Sequence, residues 1–312
     1  MYPVRHRRSP SGHGRPRHPS EQMKKKALNL KKIYREELAV ISNPFQRKRL
    51  HDDILQDISR RIESDAQIDM IYLGLDLHWL SVWEAHNGLV SLLDSDERGW
   101  ERVEMSARLE YWHIRVMVYL YKDDPNPAKA ARVSRNTAAL CLAHMLATEG
   151  SEEQARWLGT ELVESFDNGA IDQWPGTPFE PFMARLFALW ANKAVPDSLQ
   201  KCKLGVYGRL MENLRGSPDA IADALIGACD YHVANSTSTP GYPEFAVPLY
   251  EVYPAEILAA DRVRRQGGLL MPAIEHPLMS TPLAKPPAAM PRANNPVLDA
   301  VLAKIRTIWP TV

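Results

Sequence analysis

Cysteine is scarce: Cys141, Cys202 and Cys229 are the only three in 312 residues, an odd number set far apart on separate predicted helices. That excludes a disulfide framework and fits reduced thiols packed as small core residues of a cytoplasmic protein. Long apolar runs are missing too. Charges interrupt each apolar stretch well short of the ~20 residues a membrane-spanning helix needs, so no membrane is expected among the partners. The N-terminus is basic, but no apolar segment follows it as a secretory signal requires. The glycine patterns that cradle phosphates, the H-E-x-x-H zinc motif, paired C-x-x-C and the G-x-S-x-G nucleophile turn are all absent. With them go the readable signatures of phosphoryl transfer, zinc proteolysis and serine hydrolysis, and no cofactor is expected.

Net charge is also absent, with 38 Lys and Arg against 38 Asp and Glu, but this balance hides an asymmetry. Residues 1–26 hold eight basic side chains and one acid, leaving 30 basic against 37 acidic residues in the body. The stretch 1–22, rich in Arg, Pro, Gly and Ser, lacks the apolar area to offset its ordering entropy and reads as a disordered basic arm. Nucleic acid is an unlikely partner, engaged through that arm if at all.

What the sequence does have is helix punctuation. A side-chain acceptor followed by proline recurs at Asn43-Pro44, Asn126-Pro127, Thr177-Pro178, Ser217-Pro218 and Asn295-Pro296. The acceptor caps an orphan amide, and proline at the first helical position has no amide to orphan. Ser151 with Gln154 and Thr177 with Glu180 have capping-box spacing. Gly150, Gly169, Gly216 and Gly267 supply the stops.

Between these marks the apolar period is helical: Ile68, Ile71, Leu75, Trp79, Val82, His86, Leu89 and Leu93 form one stripe, widened by Leu73, Leu77 and Leu80. Met105, Leu109, Trp112, Val116 and Leu120 form another, and Leu199, Cys202, Val206, Leu210 and Leu214 a third. About ten helices follow, at 22–41, 44–65, 67–94, 97–122, 127–149, 151–167, 177–193, 197–215, 217–235 and 254–267, with a last one at 295–309. "FAVPLYEVY" (245–253) is at most an edge segment, because Pro248 cannot donate to a ladder. The expected fold class is all-α, an irregular antiparallel helical bundle or array in a single domain over 23–312. Residues 270–294 are too proline-rich for a helix, yet keep Ile274, Leu278, Met279 and Leu283. They read as an ordered strap tying the last helix to the body.

The candidate chemistry is thin. His51-Asp52-Asp53 resembles the His-Asp dyad of all-helical metal phosphohydrolases, but the upstream histidines lie in the arm. His78 and His86, eight residues apart, sit two turns from each other, too far for one metal without outside ligands, and with Asp76 they read as satisfied core or boundary polar groups. In "EYWHIR", Glu110 and His113 are helical neighbours able to share a proton, without a nucleophile in reach. His276 reads as a histidine bonding its own strap. No catalytic and no metal-binding residue is assigned.

Two stretches, "SARLEYWHIRV" (106–116) and "VYPAEILAADRVRRQGG" with "EHPLMSTPL" (252–268 and 275–283), resemble helical cognate immunity proteins of bacterial polymorphic-toxin and contact-dependent systems. The resemblance spans about residues 45–310 and implies a cytoplasmic, non-enzymatic protein that binds and neutralises one toxin. An acidic body suits a basic toxin as partner. The turn "SDERGWERVE" offers a partner-binding patch in which Asp94, Asp96, Glu97, Glu101 and Glu104 surround Trp100, unless Trp100 packs back as a core residue. The alternatives are a helical adaptor for another protein and a hydrolase whose residues converge only in the fold.

Overall fold

The computed structural model describes residues 28–64, 66–123, 132–167, 170–172, 176–236, 244–291 and 294–310. The arm expected over 1–22 and the start expected at Asn126-Pro127 lie outside them. Among the described residues the chain is all-α. The first segment is α1 (Leu30–Ile41), then α2 (Pro44–Arg47) runs through a π turn (Lys48–Asp52) into α3 (Asp53–Ile62). Two long helices follow, α4 (Gln67–Leu93) and α5 (Gly99–Asp123). Next come α6 (Arg135–Ala147), α7 (Glu152–Glu164), α8 (Phe179–Trp190), α9 (Asp197–Gln200), α10 (Tyr207–Asn213), α11 (Pro218–Ala234), α12 (Ala255–Gln266) and α13 (Pro296–Ile308). Two residues each of β1 (Val133–Ser134) and β2 (Ile171–Asp172) pair in parallel, Val133 opposite Ile171.

The caps carry the local logic. Asn43, Ser151, Ser217 and Asn295 each accept from backbone amides two or three residues on, with proline first in the helix at three of the four. Thr177 departs from this pattern. Helix α8 begins at Phe179 without a side-chain cap, and the Thr177 hydroxyl comes close to Glu244 instead. The single helix expected over 197–215 is broken: α9 stops at Gln200, and Gly205 takes φ +52 before α10 begins. The carbonyls freed by that break are claimed from α8, where the Arg185 guanidinium donates to Leu199, Gln200 and Cys202. A tertiary donor thus overrides a good helical period.

α4 and α5 form an antiparallel hairpin around which the rest is arranged. Its tightest approach is glycine on glycine: a Cβ on Gly99 would stand 2.7 Å from the Gly88 carbonyl oxygen. Side-chain-free backbone at both positions lets the helices close up. α1 and α3 pack on α4, α6 packs on α5, and α7 and α12 pack on α6. The buried face of α4 carries Leu73, Leu77, Leu80 and Leu89, whereas Leu75 and Trp79 face outward. The sequence stripe through Leu75 and Trp79 therefore faces outward there and reaches the core only farther along, at His86 and Leu89. α4 is apolar nearly all round, so the period alone cannot choose the side.

In the proline-rich segment, short 3-10 turns at Pro277–Ser280 and Pro282–Ala284 bury Leu278 and Leu283 completely, and the Thr281 hydroxyl donates to Val252 O at 2.9 Å. Ile274 and Met279 pack on the same core. Segment 245–253 holds a 3-10 turn (Pro248–Glu251) in place of a strand. Among the described residues no helix is long and apolar enough to cross a membrane.

Candidate functional site

The turn between α4 and α5 sets the anticipated acidic patch at one end of the hairpin. Asp94, Glu97 and Glu101 are exposed. Asp96 is half-buried and engaged by the Arg98 guanidinium at 2.8 Å, and Glu104 meets His144 Nε2 at 3.3 Å. Trp100 is only 5% exposed and lies edge-on to Tyr253, ring centroids 6.1 Å apart. It is a core residue, so the turn presents carboxylates without an aromatic anchor.

The exposed aromatics are elsewhere. Tyr72, Leu75 and Trp79, spaced three and four residues apart on α4, are 45%, 37% and 40% exposed. Beside them the Arg61 guanidinium lies 4.8 Å over the Tyr72 ring and binds Asp76 at 2.7 Å and Asp69 at 3.2 Å. Asp57, one turn before Arg61 on α3, lies 3.7 Å from the same guanidinium.

The seven described histidines are each tied into the fold. His51 meets Asp52 at 2.8 Å, His86 bonds Glu37 of α1, His232 meets Glu256 at 2.8 Å, and His276 meets Asp230 at 3.3 Å. His276 Nδ1 also accepts from the Leu278 amide, so its own strap holds it as expected. Among the described residues, His51-Asp52-Asp53 belongs to no group of side chains placed to hold a metal ion. His78 and His86 go to different partners, one to α5 and one to α1.

His78 is where the fold adds something. Its Nδ1 lies 3.0 Å from both carboxylate oxygens of Glu110, and its ring centroid is 5.1 Å from that of His113. Glu110 and His113 are one helical turn apart on α5, facing α4. One ligating atom from each of the three side chains falls within 4.8 Å of the others, the one such group among the described residues. His113 Nδ1 lies 2.7 Å from the Gly74 carbonyl oxygen, a contact that needs a proton on Nδ1 and leaves Nε2 as a lone-pair donor.

Burial opposes protonation of His78, but the Glu110 carboxylate outweighs it and holds the imidazole above its ordinary value. Burial pushes Glu110 up, and His78 outweighs that and holds it low. Burial keeps His113 low, hence neutral. Next to the triad is a cavity of about 40 Å³ lined by His78, Ser81, Glu110, Thr137, Cys141 and Tyr250. Burial drives the Cys141 thiol well above its ordinary value, so it is no nucleophile at neutral pH.

A second cluster lies between α6, α8 and α11. Glu180 and Glu244 are 1% and 3% exposed, and burial raises each to about 7. Tyr231 donates its hydroxyl to Glu244, and Asn136 Nδ2 donates to the Glu244 carbonyl at 2.9 Å. Glu180 Oε1, Asn136 Oδ1 and the Tyr207 hydroxyl have no hydrogen-bond partner, and Glu244 Oε2 approaches Thr177 without a well-formed bond. These carboxyls have acid-base character but are shut away from solvent. The sequence hint was the repeated P-G-x-P of Pro175–Pro178 and Pro240–Pro243, each followed within two residues by a glutamate.

Comparison with family models, with curated proteins and with solved structures finds no match to this chain.

Proposed function

We propose that the protein works by binding another protein, and that it is an immunity protein that captures and neutralises a cognate basic toxin without chemistry of its own. The observation that supports this best is the outward stripe of Tyr72, Leu75 and Trp79, with the Arg61 guanidinium over the Tyr72 ring and Asp57, Asp69 and Asp76 gathered on that guanidinium. Asp57 and Asp69 are partly exposed, whereas Asp76 is buried against Arg61. Large apolar side chains with acidic neighbours are the composition of a docking surface for a basic partner: charge steers the encounter and aromatic anchors hold the complex. The resemblance of residues 106–116 and 252–283 to helical immunity proteins points the same way.

The protein encoded beside this chain is the natural candidate for the toxin. Its expression in a heterologous host should arrest growth, and co-expression of this chain should restore it, with the two proteins purifying as a complex. The double variant Leu75→Asp, Trp79→Asp should lose both rescue and capture at unchanged helical content. Rescue without a complex, or a complex indifferent to the double variant, counts against this surface; no rescue at all counts against the function.

The buried carboxyl pair favours a second reading, a hydrolase whose residues meet only in the fold. Glu180→Gln separates the two, since a hydrolase loses turnover with this substitution and a binding protein keeps its capture.

A further inference from the structure

We propose that His78, Glu110 and His113 form a binding site for one divalent transition-metal ion of the zinc type, held between α4 and α5. The donor set is two imidazoles and a carboxylate, which matches the borderline preference of zinc and its neighbours and not the all-oxygen preference of magnesium or calcium. Glu110-x-x-His113 on one helix with a histidine from the facing helix is how helical bundles build metal centres from inward-projecting side chains.

Distances support it. Two ligands about 2.1 Å from a common ion stand about 3.0–3.4 Å apart, and His78 Nδ1 already lies 3.0 Å from Glu110. With all three ligating atoms inside 4.8 Å, side-chain rotation has less than about 2 Å to close. The third ligand is pre-oriented. His113 gives its Nδ1 proton to the Gly74 carbonyl, the outer hydrogen bond that fixes which nitrogen of a metal-bound histidine faces the ion. Access exists because the His78 side chain is one-third exposed, and the 40 Å³ cavity beside Glu110 has room for a water in the open fourth position. This inference does not rest on toxin binding, although the His78 ring lies edge-on to Trp79 of the outward stripe, centroids 5.4 Å apart.

The test uses the full chain, purified without a histidine tag and stripped with chelator. Cobalt(II) and zinc(II) are then titrated by absorption and calorimetry. One equivalent should bind, the cobalt form should show visible bands of nitrogen and oxygen ligation, and zinc should raise the thermal midpoint. Glu110→Gln and His78→Gln should each weaken binding by at least about 100-fold, more than the loss of an outer partner costs. His276→Gln should bind as the parent does. Far-UV circular dichroism of each variant confirms the fold, and His78, the most exposed ligand, is the substitution the fold tolerates best. No saturable binding by the parent, or full binding by both Glu110→Gln and His78→Gln, overturns the proposal: the triad is then a hydrogen-bonded ion pair only, and any bound metal sits elsewhere.

Discussion

Between α4 and its neighbours, ionisable side chains meet as opposite charges near the edge of water. Glu84 is buried but takes both oxygens to Arg102, whose guanidinium is half in solvent, and His78 meets Glu110. Between α6, α8 and α11 the arrangement differs. Glu180 and Glu244 lie together, and the nearest cation, Arg135, spends its guanidinium on the Ser165 hydroxyl and carbonyl. The first region answers burial by pairing charges, the second by letting carboxyls hold protons into the neutral range. On the long helix α4 the buried acids Asp76 and Glu84 reach arginines of neighbouring helices. Short helices crossing at several angles trap their polar groups inside, where backbone carbonyls and neutral partners must serve.

Arg264 is the test of that second style with the largest expected effect. It is nearly fully buried and bridges helix ends through backbone carbonyls, donating to Leu214 at 2.6 Å, Gly216 at 3.1 Å and Leu270 at 3.0 Å. Arg264→Ala strands several acceptors and should cost about 3 kcal/mol or more in denaturant unfolding. Arg264→Lys should recover only part, because an ammonium cannot fork to three carbonyls. Arg102→Ala, on the half-exposed side of the first region, should cost less. Equal costs would erase the distinction between the regions.

The cost of a side chain at a buried glycine depends on what stands opposite it. A Cβ on Gly159 would fall 2.2 Å from the Phe187 ring, which is itself fully buried and cannot yield. Gly159→Ala should destabilise by about 1–3 kcal/mol. On α4, a Cβ at Gly74 meets the Met117 sulfur at 3.1 Å, the end of a flexible side chain. Gly74→Ala should change stability by less than about 1 kcal/mol, and thermal melts of the two variants give the comparison directly.

Helices were legible in the sequence in both regions wherever length or local chemistry marks them. α4 and α5 are long enough for their period to dominate, and Asn43, Ser151, Ser217 and Asn295 mark helix starts by local chemistry that needs no tertiary partner. Legibility failed where a distant group decided. Arg185 claims the carbonyls freed by the break in the helix expected over 197–215, and Thr177 leaves α8 without a side-chain cap. The triad joins residues 32 positions apart, His78 and Glu110, which no spacing rule within one helix connects. Trp100 shows the limit of reading exposure from neighbours: five carboxylates surround it in the sequence, yet its ring turns inward to Tyr253.

The carboxyl pair gives the comparison a pH signature. With folded values raised to about 7, Glu180 and Glu244 bind protons more tightly in the native state than in the unfolded chain. Their contribution is therefore full below the unfolded carboxyl range and is lost as pH rises toward and through 7. Stability should fall between pH 5 and 8. Glu180→Gln mimics the protonated acid, so it should match the parent near pH 5 and exceed it near pH 8 by on the order of 1–2 kcal/mol. A parallel pair of stability curves would show that Glu180 is ionised throughout.

The smallest effect on stability belongs to the acidic turn, and it sharpens the comparison by separating fold from function. Asp96 pairs with Arg98, whose side chain is largely in solvent, and Glu97 and Glu101 are exposed. Exposed pairs of this kind contribute about 0–1 kcal/mol because water and salt screen them. Reversing Asp96, Glu97 and Glu101 to lysine should leave helical content unchanged and shift the unfolding free energy by less than about 1 kcal/mol. The effect on a basic partner should be kinetic. If the proposed basic partner docks on the Tyr72, Leu75 and Trp79 stripe, removing three negative charges and adding three positive ones should slow association, most at low ionic strength, and leave dissociation near the parent value. Stopped-flow association measured across a salt series decides the matter, and an unchanged rate at low salt would remove the turn from the partner's path while leaving the stripe in it.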